Sequence, residues 1–302
     1  MSKRVLVVGA GGFIGSRLVA ALRAQDHKPV LIGRVSASAS DTPVHSWSTL
    51  DESWLADMAA TTDAIYWVAG TTTPGSSAGH PDVEFNENLA PLVTLLRALH
   101  RAPPTRLIYL SSGGTIYGDV RAGIANETMP TDPKSYYSAG KLAGEAFLAA
   151  HAHQTGSRVF VVRPSNVYGA GQSLRPGFGI IPTAFQAIRA GTPLMVRGDG
   201  SAVRDYVHVD DLSSLLLAML DGDTLNEIDV FNASSHQGTS VNDLLALIEH
   251  AAGQRVPRQY SEARSFDVNR VVLDNSKARE RFGWEPRVEL ARGIREAWEA
   301  IA

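Results

Sequence analysis

The sequence predicts an α/β protein: a doubly wound parallel sheet followed by a smaller C-terminal α/β lobe. Three observations predict it. Short apolar runs alternate with helical segments from Arg4 through Val162. A glycine cluster, Gly9–Gly15, separates the first run from the first helix. Beyond Arg163 the chain becomes rich in Gly and Pro and loses the regular alternation. Strands and helices in this order pack as a parallel sheet covered on both faces, because neighbouring parallel strands need a crossover connection rather than a tight turn. At 302 residues the chain can bury a core without disulfides.

Taken in order, Arg4–Val8 is a β-branched run whose length suits a strand buried on both faces. Phe13–Gln25 follows with Leu18, Val19 and Leu22 on one side of a helix. Val30–Ile32 and Ala64–Val68 read as the next strands. Asn88–His100 is helical, with Leu89, Leu92, Val93, Leu96 and Leu99 along one face, and Pro103-Pro104 stops it. Arg106–Leu110 is a strand, Tyr136–His151 a helix and Arg158–Val162 a strand. In the second half Pro182–Arg189, Asp210–Leu220, Val241–Ala252 and Lys277–Phe282 carry helical spacing, and Ile228–Phe231 is a short strand.

Composition excludes several function classes. The chain has no cysteine, which removes disulfides, thiolate metal sites, iron–sulfur clusters and a Cys nucleophile. The formal charge is −3 and no dense Lys/Arg block occurs, so no nucleic-acid partner is expected. No apolar run reaches the roughly 18 residues of a membrane span. Lys3-Arg4 and Val5–Val8 resemble the start of a signal peptide, but the glycines break the run and no small-residue cleavage site follows. A cytoplasmic location and no membrane partner are therefore expected. The histidines are scattered, and His151 and His153 diverge on their helix, so no metal is expected.

Gly9, Gly12 and Gly15 stand three apart between the first strand and first helix. Gly9 permits a tight turn, Gly12 lets backbone N–H groups approach a pyrophosphate, and Gly15 lets the helix lie against the strand. Phe13 and Ile14 open that helix, whose N-terminus carries partial positive charge. This spacing predicts a dinucleotide site. At the end of the second strand an acid would accept hydrogen bonds from a free ribose 2′-hydroxyl, but Gly33-Arg34 stands there. A guanidinium suits a 2′-phosphate, so of NAD and NADP the sequence favours NADP.

Tyr137 and Lys141 lie four apart on one helix, so their side chains share a face. A free phenol has a pKa of about 10, leaving ~0.1% ionised at pH 7. An ammonium and a cationic nicotinamide beside it favour the phenolate. Bringing the phenol near neutrality needs roughly three pKa units, or ~4 kcal/mol. Tyr137 is then a proton donor and acceptor at working pH, with Lys141 also able to hold the cofactor ribose.

The glycine trio, Ser111-Ser112-Gly113-Gly114-Thr115-Ile116-Tyr117-Gly118 and the Tyr137/Lys141 pair together resemble the extended short-chain dehydrogenase/reductases. The branch is the NAD-dependent epimerase/dehydratase family, which acts on nucleotide sugars. Further stretches agree in order: Arg163–Gly169, Gly198-Asp199-Gly200, Arg204–Asp211, Arg264 to Asp267, and Phe282–Pro286. The resemblance implies a Rossmann-type domain over residues 1–165, with 204–233 returning to it. Residues 166–203 and 234–302 would form the nucleotide-sugar lobe. It implies that Ala69, Gly70, Asn88, Ser111 and Pro164 contact the cofactor. Asn166 and Asp267 would contact substrate, and Arg204 and Arg264 would grip its diphosphate. It also implies a homodimer, built on the Tyr137 helix and residues 88–100.

One position departs from the family pattern. Gly113 stands where a Ser or Thr usually meets the reacting oxygen, leaving Ser112 and Thr115 as the nearby hydroxyls. The implied chemistry is hydride transfer at the sugar C4, as in a 4-epimerase. The alternative is an NADPH-dependent reductase of a 4-keto sugar, which Arg34 favours. A non-catalytic NAD(P)-binding regulator is a further alternative, against which the intact Tyr137/Lys141 pair speaks.

Overall fold

The computed structural model describes residues 1–33, 44–49, 51–102, 106–120, 123–174, 177–224, 226–264 and 266–301. The strands are β1 (Arg4–Val8), β2 (Lys28–Gly33), β3 (Val44–Ser46), β4 (Ala64–Trp67), β5 (Arg106–Leu110), β6 (Arg158–Pro164) and β7 (Asn166–Tyr168). They continue with β8 (Leu194–Arg197), β9 (Val203–His208), β10 (Ile228–Ala233), β11 (Gly238–Ser240), β12 (Arg258–Ser261) and β13 (Arg270–Val271). The helices are α1 (Phe13–Ala24), α2 (Glu52–Ala60), α3 (Pro81–Glu84), α4 (Ala90–Leu99), α5 (Gly113–Ile116) and α6 (Tyr136–Thr155). The second half adds α7 (Ile180–Ala190), α8 (Val209–Asp221), α9 (Val241–Ala252), α10 (Ser276–Phe282) and α11 (Leu290–Glu299).

Seven strands form one parallel sheet in the order β10-β6-β5-β4-β1-β2-β3. Strand residues alternate between its two faces, which explains the unbroken apolar runs. Val5, Val7, Tyr66, Ile108 and Phe160 meet Leu18 and Leu22 of α1 and Leu212, Leu215 and Leu216 of α8. Leu6, Val8, Ile65, Leu107 and Val159 face the other way, onto Leu55 of α2, Leu92 and Leu95 of α4, and Leu148 of α6. Each such side chain contributes about 1.5–3 kcal/mol when fully buried.

The chain builds outward from β1 in one direction through β2 and β3, and from β4 in the other through β5, β6 and β10. The reversal opens a crevice at the carboxyl ends of β1 and β4, where ligands bind in sheets of this kind. The remaining strands make a second sheet, β11-β9-β13 with β7 beside β9, and a β8–β12 pair. These pack with α7, α9 and α11 around Phe185, Leu244, Ile248 and Ile294. Strand β9 therefore belongs to the second sheet, while α8 and β10, which follow it, return to the first. Among the described residues no helix is long and apolar enough to cross a membrane.

The segment read as one helix from Asn88 is built differently. It begins at Pro81, the first helical residue of α3, where a missing N–H costs nothing. Phe85–Leu89 then form a π-turn, closed by the Ala90 N–H on the Phe85 carbonyl, before α4 starts. The wider turn is invisible to a 3.6-residue periodicity, and it sets the direction of Asn88.

Candidate active site

The crevice holds a cavity of about 600 Å³. Its walls include Gly12, Phe13, Ile14, Ala69, Gly70, Ser111, Ser112 and Thr115, and then Tyr137, Lys141 and Pro164. The second lobe adds Asn166, Arg204, Arg264 and Asp267. Gly9 and Gly15 shape this wall from behind. Gly9 has φ +96°, and a Cβ there would stand 2.7 Å from the Ala69 nitrogen. A Cβ on Gly15 would stand 2.0 Å from the Gly9 carbonyl oxygen, so only glycine lets α1 come this close to the turn. Gly12 caps α1 without a side-chain hydrogen bond, and the first turn carries no acid. The leading N–H groups of α1 thus face the cavity without a competing carboxylate, a fit for a pyrophosphate. Arg34, which carried the NADP expectation, lies outside the described residues.

Helix α6 presents the Tyr–Lys pair. Its start is fixed by a reciprocal Ser135–Ser138 capping box. The Tyr137 N–H donates to the Ser77 hydroxyl at 3.2 Å, which ties the same turn to the loop after β4. Lys141 is 6% exposed and donates from Nζ to the Leu110 carbonyl at 3.0 Å, at the end of β5. Its ammonium stands 6.0 Å from the centre of the Tyr137 ring. Burial pulls the Lys141 pKa down to about 8, against the raising influence of Glu84 and Glu145.

The phenol differs from the sequence expectation. Burial raises the Tyr137 pKa above that of a free tyrosine; the Ser112 hydroxyl facing it acts to lower it, and the Glu84 charge raises it further. In the chain alone, then, Lys141 does not bring the phenol to neutrality. Of the two hydroxyls near Gly113, Ser112 faces Tyr137 and itself accepts from Thr115 Oγ1 at 3.1 Å. Gly113 is required where it stands. A Cβ there would lie 2.4 Å from Leu273 Cδ1 and 2.8 Å from the Arg163 carbonyl oxygen.

One residue sits elsewhere than expected. Asn88 does not line the cavity. Its Oδ1 accepts from the Thr71 N–H at 3.0 Å, and its Nδ2 donates to Thr72 Oγ1 at 2.8 Å. The π-turn aims it at the loop after β4, and it is Thr72 that reaches the cavity. Ser111 lines the cavity but turns its hydroxyl to Glu145.

Beneath the site lies a polar network the sequence reading missed. Arg163 forms a two-pronged pair with Glu145, Nε to Oε1 at 3.0 Å and Nη2 to Oε2 at 2.6 Å. Its Nη1 donates to the Tyr117 hydroxyl at 2.9 Å, which donates to Asn232 Oδ1 at 2.8 Å. The network joins α6, β6, the segment after α5 and β10. A charge closing the apolar run Arg158–Arg163, and an acid four residues past Lys141, were the available signals.

At the far end, both arginines have partners within the chain. Arg264 clasps Asp267 with Nη2 to Oδ1 at 2.7 Å and stacks on Phe266 at 4.5 Å. Burial alone raises the Asp267 pKa, but the hydrogen bonds from Arg264 hold it below the usual range. Arg204 donates to the backbone carbonyls of Val203 and Val268. Asn166 Nδ2 donates to the Asp205 carbonyl at 2.9 Å, and its side chain lines the cavity beside Gly114. Guanidinium forks so placed can take phosphate oxygens with their remaining donors.

Comparison with known proteins agrees with this geometry. A UDP-glucose 4-epimerase of Mycolicibacterium smegmatis is 32% identical over 96% of both chains. The crystal structure of a Thermotoga maritima UDP-glucose 4-epimerase with UDP-glucose superposes with a TM-score of 0.89, at 27% identity over 99% of this chain and 98% of that one. A Thermus thermophilus UDP-glucose 4-epimerase in complex with NAD gives 0.87 at 28% identity, over 98% of each chain. Residues 5–234 match the model of one family, and with the glycine turn, the Tyr–Lys pair and the full-length likeness they place this chain in the NAD dependent epimerase/dehydratase family.

Proposed function

We propose that this chain is a nicotinamide-dependent 4-epimerase of nucleotide-diphosphate sugars. One observation carries the reading: the glycine turn, the Tyr137/Lys141/Ser112 group and the two arginines all open onto a single cavity. That arrangement suits a ligand with a diphosphate at one end and a reacting sugar near the phenol, beside a dinucleotide on α1. The relatives named above act on, or hold, UDP-glucose and NAD.

Each residue has its own share of the work. Phe13 and Ile14 offer N–H groups to the pyrophosphate, while the Gly12 N–H closes the turn on the Gly9 carbonyl at 3.0 Å. Ala69 and Gly70 give the dinucleotide a flat wall, since neither projects a large side chain. A nicotinamide bound there supplies reversible hydride exchange with the sugar C4. Tyr137 takes and returns the C4 hydroxyl proton, while Ser112 steadies the same oxygen. The Lys141 ammonium, 6.0 Å from the centre of the phenol ring, favours its ionised form. Arg204 and Arg264 hold the diphosphate, so the sugar can turn and present either face.

Arg34 extends the proposal to a 2′-phosphate, making NADP a cofactor the site accepts alongside NAD. A homodimer through α6 and the 85–99 segment is also proposed. Phe147 and Phe85, large apolar side chains on those two elements, are 47% and 55% exposed.

The test is direct. The purified protein is incubated with UDP-glucose or UDP-galactose, and the sugars are separated. Interconversion without net change in nicotinamide absorbance supports the epimerase. A protein that leaves both sugars unchanged but consumes NADPH with a 4-keto nucleotide sugar is a reductase.

A further inference from the structure

Glu84 is a buried acid that the chemistry above does not use. It ends α3 and is 4% exposed. Its Oε2 accepts from the Thr72 hydroxyl. Its Oε1 is buried with no hydrogen-bond partner. A carboxylate oxygen left this way is costly unless a charge nearby compensates it.

The chain makes room for it on the Tyr–Lys helix. A Cβ on Gly140 would stand 2.4 Å from Glu84 Oε1 and 2.7 Å from its Cγ. Gly140 immediately precedes Lys141, so the notch sets the carboxylate against the turn that carries the ammonium. Lys141 Nζ in turn lies 3.6 Å from where a Cβ on Gly70 would be, on the cavity wall. The other end of Glu84 reaches that wall through Thr72, which Asn88 also holds.

We propose that Glu84 is a positioning residue for Lys141: a carboxylate set in the Gly140 notch that supplies counter-charge to the ammonium without pairing with it directly, and that holds the Lys141 turn, through Thr72, against the loop lining the cofactor end of the cavity. The proposal rests on the reading of Tyr137 and Lys141 as the proton-handling pair. Several groups face this centre. Lys141 and Tyr137 come from α6, Glu145 lies one turn further on, Glu87 belongs to the π-turn, and the Tyr109 ring is 5.4 Å from Lys141 Nζ. Burial raises the Glu84 pKa, and Thr72 and Lys141 oppose the rise. Glu84 and Glu145 both raise the Lys141 pKa, and Glu84 raises that of Tyr137.

Removing the Glu84 charge therefore lowers the titration midpoints of both members of the pair. Glu84→Gln keeps the size and an acceptor for Thr72. The chain has only five lysines, so labelling at the lysine ε-carbon and subtracting the Lys141→Arg spectrum isolates the Lys141 signal. Its midpoint should fall by about one pH unit or more in Glu84→Gln, as for one opposite charge removed at close range. Gly140→Ala should produce a fall of the same sign by displacing the carboxylate. In turnover of UDP-galactose, both limbs of the kcat/KM–pH profile should move to lower pH.

An unchanged Lys141 midpoint in Glu84→Gln overturns the proposal, whatever the activity does. So does reduced turnover with an unmoved pH profile and an unmoved midpoint, the pattern of a merely structural residue. A midpoint that falls while the profile stays in place supports the coupling but strikes the underlying assignment of Tyr137 and Lys141. The two failures are thus told apart, because the spectrum needs no substrate.

Discussion

Ser112 faces Tyr137 across the gap between the end of β5 and the first turn of α6, and its hydroxyl works against the rise that burial imposes on the phenol. Thr115 backs it by donating to the Ser112 hydroxyl at 3.1 Å. The proposed function gives Ser112 the role that the family pattern gives to the position of Gly113. Ser112→Ala should lower kcat by about ten- to a hundredfold, as for a positioned donor at a reacting oxygen. Thr115→Ala should cost less, since it acts through Ser112. Gly113→Ser should not rescue Ser112→Ala. Its Cβ meets a backbone carbonyl that cannot move aside, so it should lose about 1–3 kcal/mol of stability in denaturant titration. Equal losses in Ser112→Ala and Thr115→Ala would remove Ser112 from this role.

Tyr137→Phe deletes the proton donor while leaving the glycine turn and Lys141 in place. Turnover should fall by about 10²–10⁴ or more, the usual worth of a positioned acid–base group, while dinucleotide affinity changes little. Substantial residual epimerisation would show that another group moves the proton.

Much of this was legible in the residues, for identifiable reasons. The apolar runs at Arg4–Val8 and Arg106–Leu110 announce doubly buried strands, and Gly9, Gly12 and Gly15 announce their turn because each spacing has one steric cause. Tyr137 and Lys141 could be paired because helical spacing is fixed. The environment of the pair was not legible. The acidified phenol inferred from Lys141 ignored burial, which acts in the opposite direction on Tyr137 and depends on chain brought from β4 and β5. Glu84 and Arg163 were missed for a related reason. Their importance lies in what faces them across the fold, Gly140 and Glu145, and not in their neighbours in sequence. The direction of Asn88 was not legible either, because it lies inside the Phe85–Leu89 π-turn, where the 3.6-residue spacing does not hold.

Arg34 decides the cofactor prediction. If residue 34 follows the pattern of such sites, at the end of the second strand, Arg34→Asp supplies a carboxylate that accepts from a ribose 2′-hydroxyl and repels a 2′-phosphate. The ratio of kcat/KM, or of affinities, for NAD over NADP should rise by at least about tenfold, the worth of roughly 1.4 kcal/mol. An unchanged ratio retires the assignment of Arg34 to the 2′ position.

The arginine pair gives a binding prediction. UDP-glucose should raise the melting temperature of the wild-type protein, because a ligand at a hundred times its Kd stabilises by about 2.7 kcal/mol. Arg264→Ala should lose most of that rise while melting normally without ligand, since Arg264 is an exposed side chain whose ion pair with Asp267 adds little stability. Arg204 also braces backbone carbonyls in the second sheet, so Arg204→Ala should lower the unliganded melting temperature as well. An undiminished ligand shift in Arg264→Ala would show that the diphosphate lies elsewhere.

Lys141 links stability to pH with a defined sign. Its folded pKa, about 8, lies below the ordinary lysine value of 10.5 that holds in the unfolded chain. Between those values the unfolded chain binds more protons, so this group's contribution to stability rises with pH. Below the folded value the buried ammonium carries its full penalty, about 3 kcal/mol from the size of the shift. As pH climbs toward the unfolded value, the penalty fades. Lys141→Met removes the titration, although it also leaves the Leu110 carbonyl without its donor. The difference in unfolding free energy, wild type minus variant, should therefore increase between pH 7.5 and pH 9.5 by about 1–2 kcal/mol, part of the full linkage. Denaturant titrations of the two proteins across that range measure it. A difference independent of pH would mean that Lys141 titrates in the folded protein as it does in the unfolded chain, and that burial in this site is offset by its carboxylates. The same offset would place the Tyr137–Lys141 pair in a more strongly charged setting than the folded chain shows.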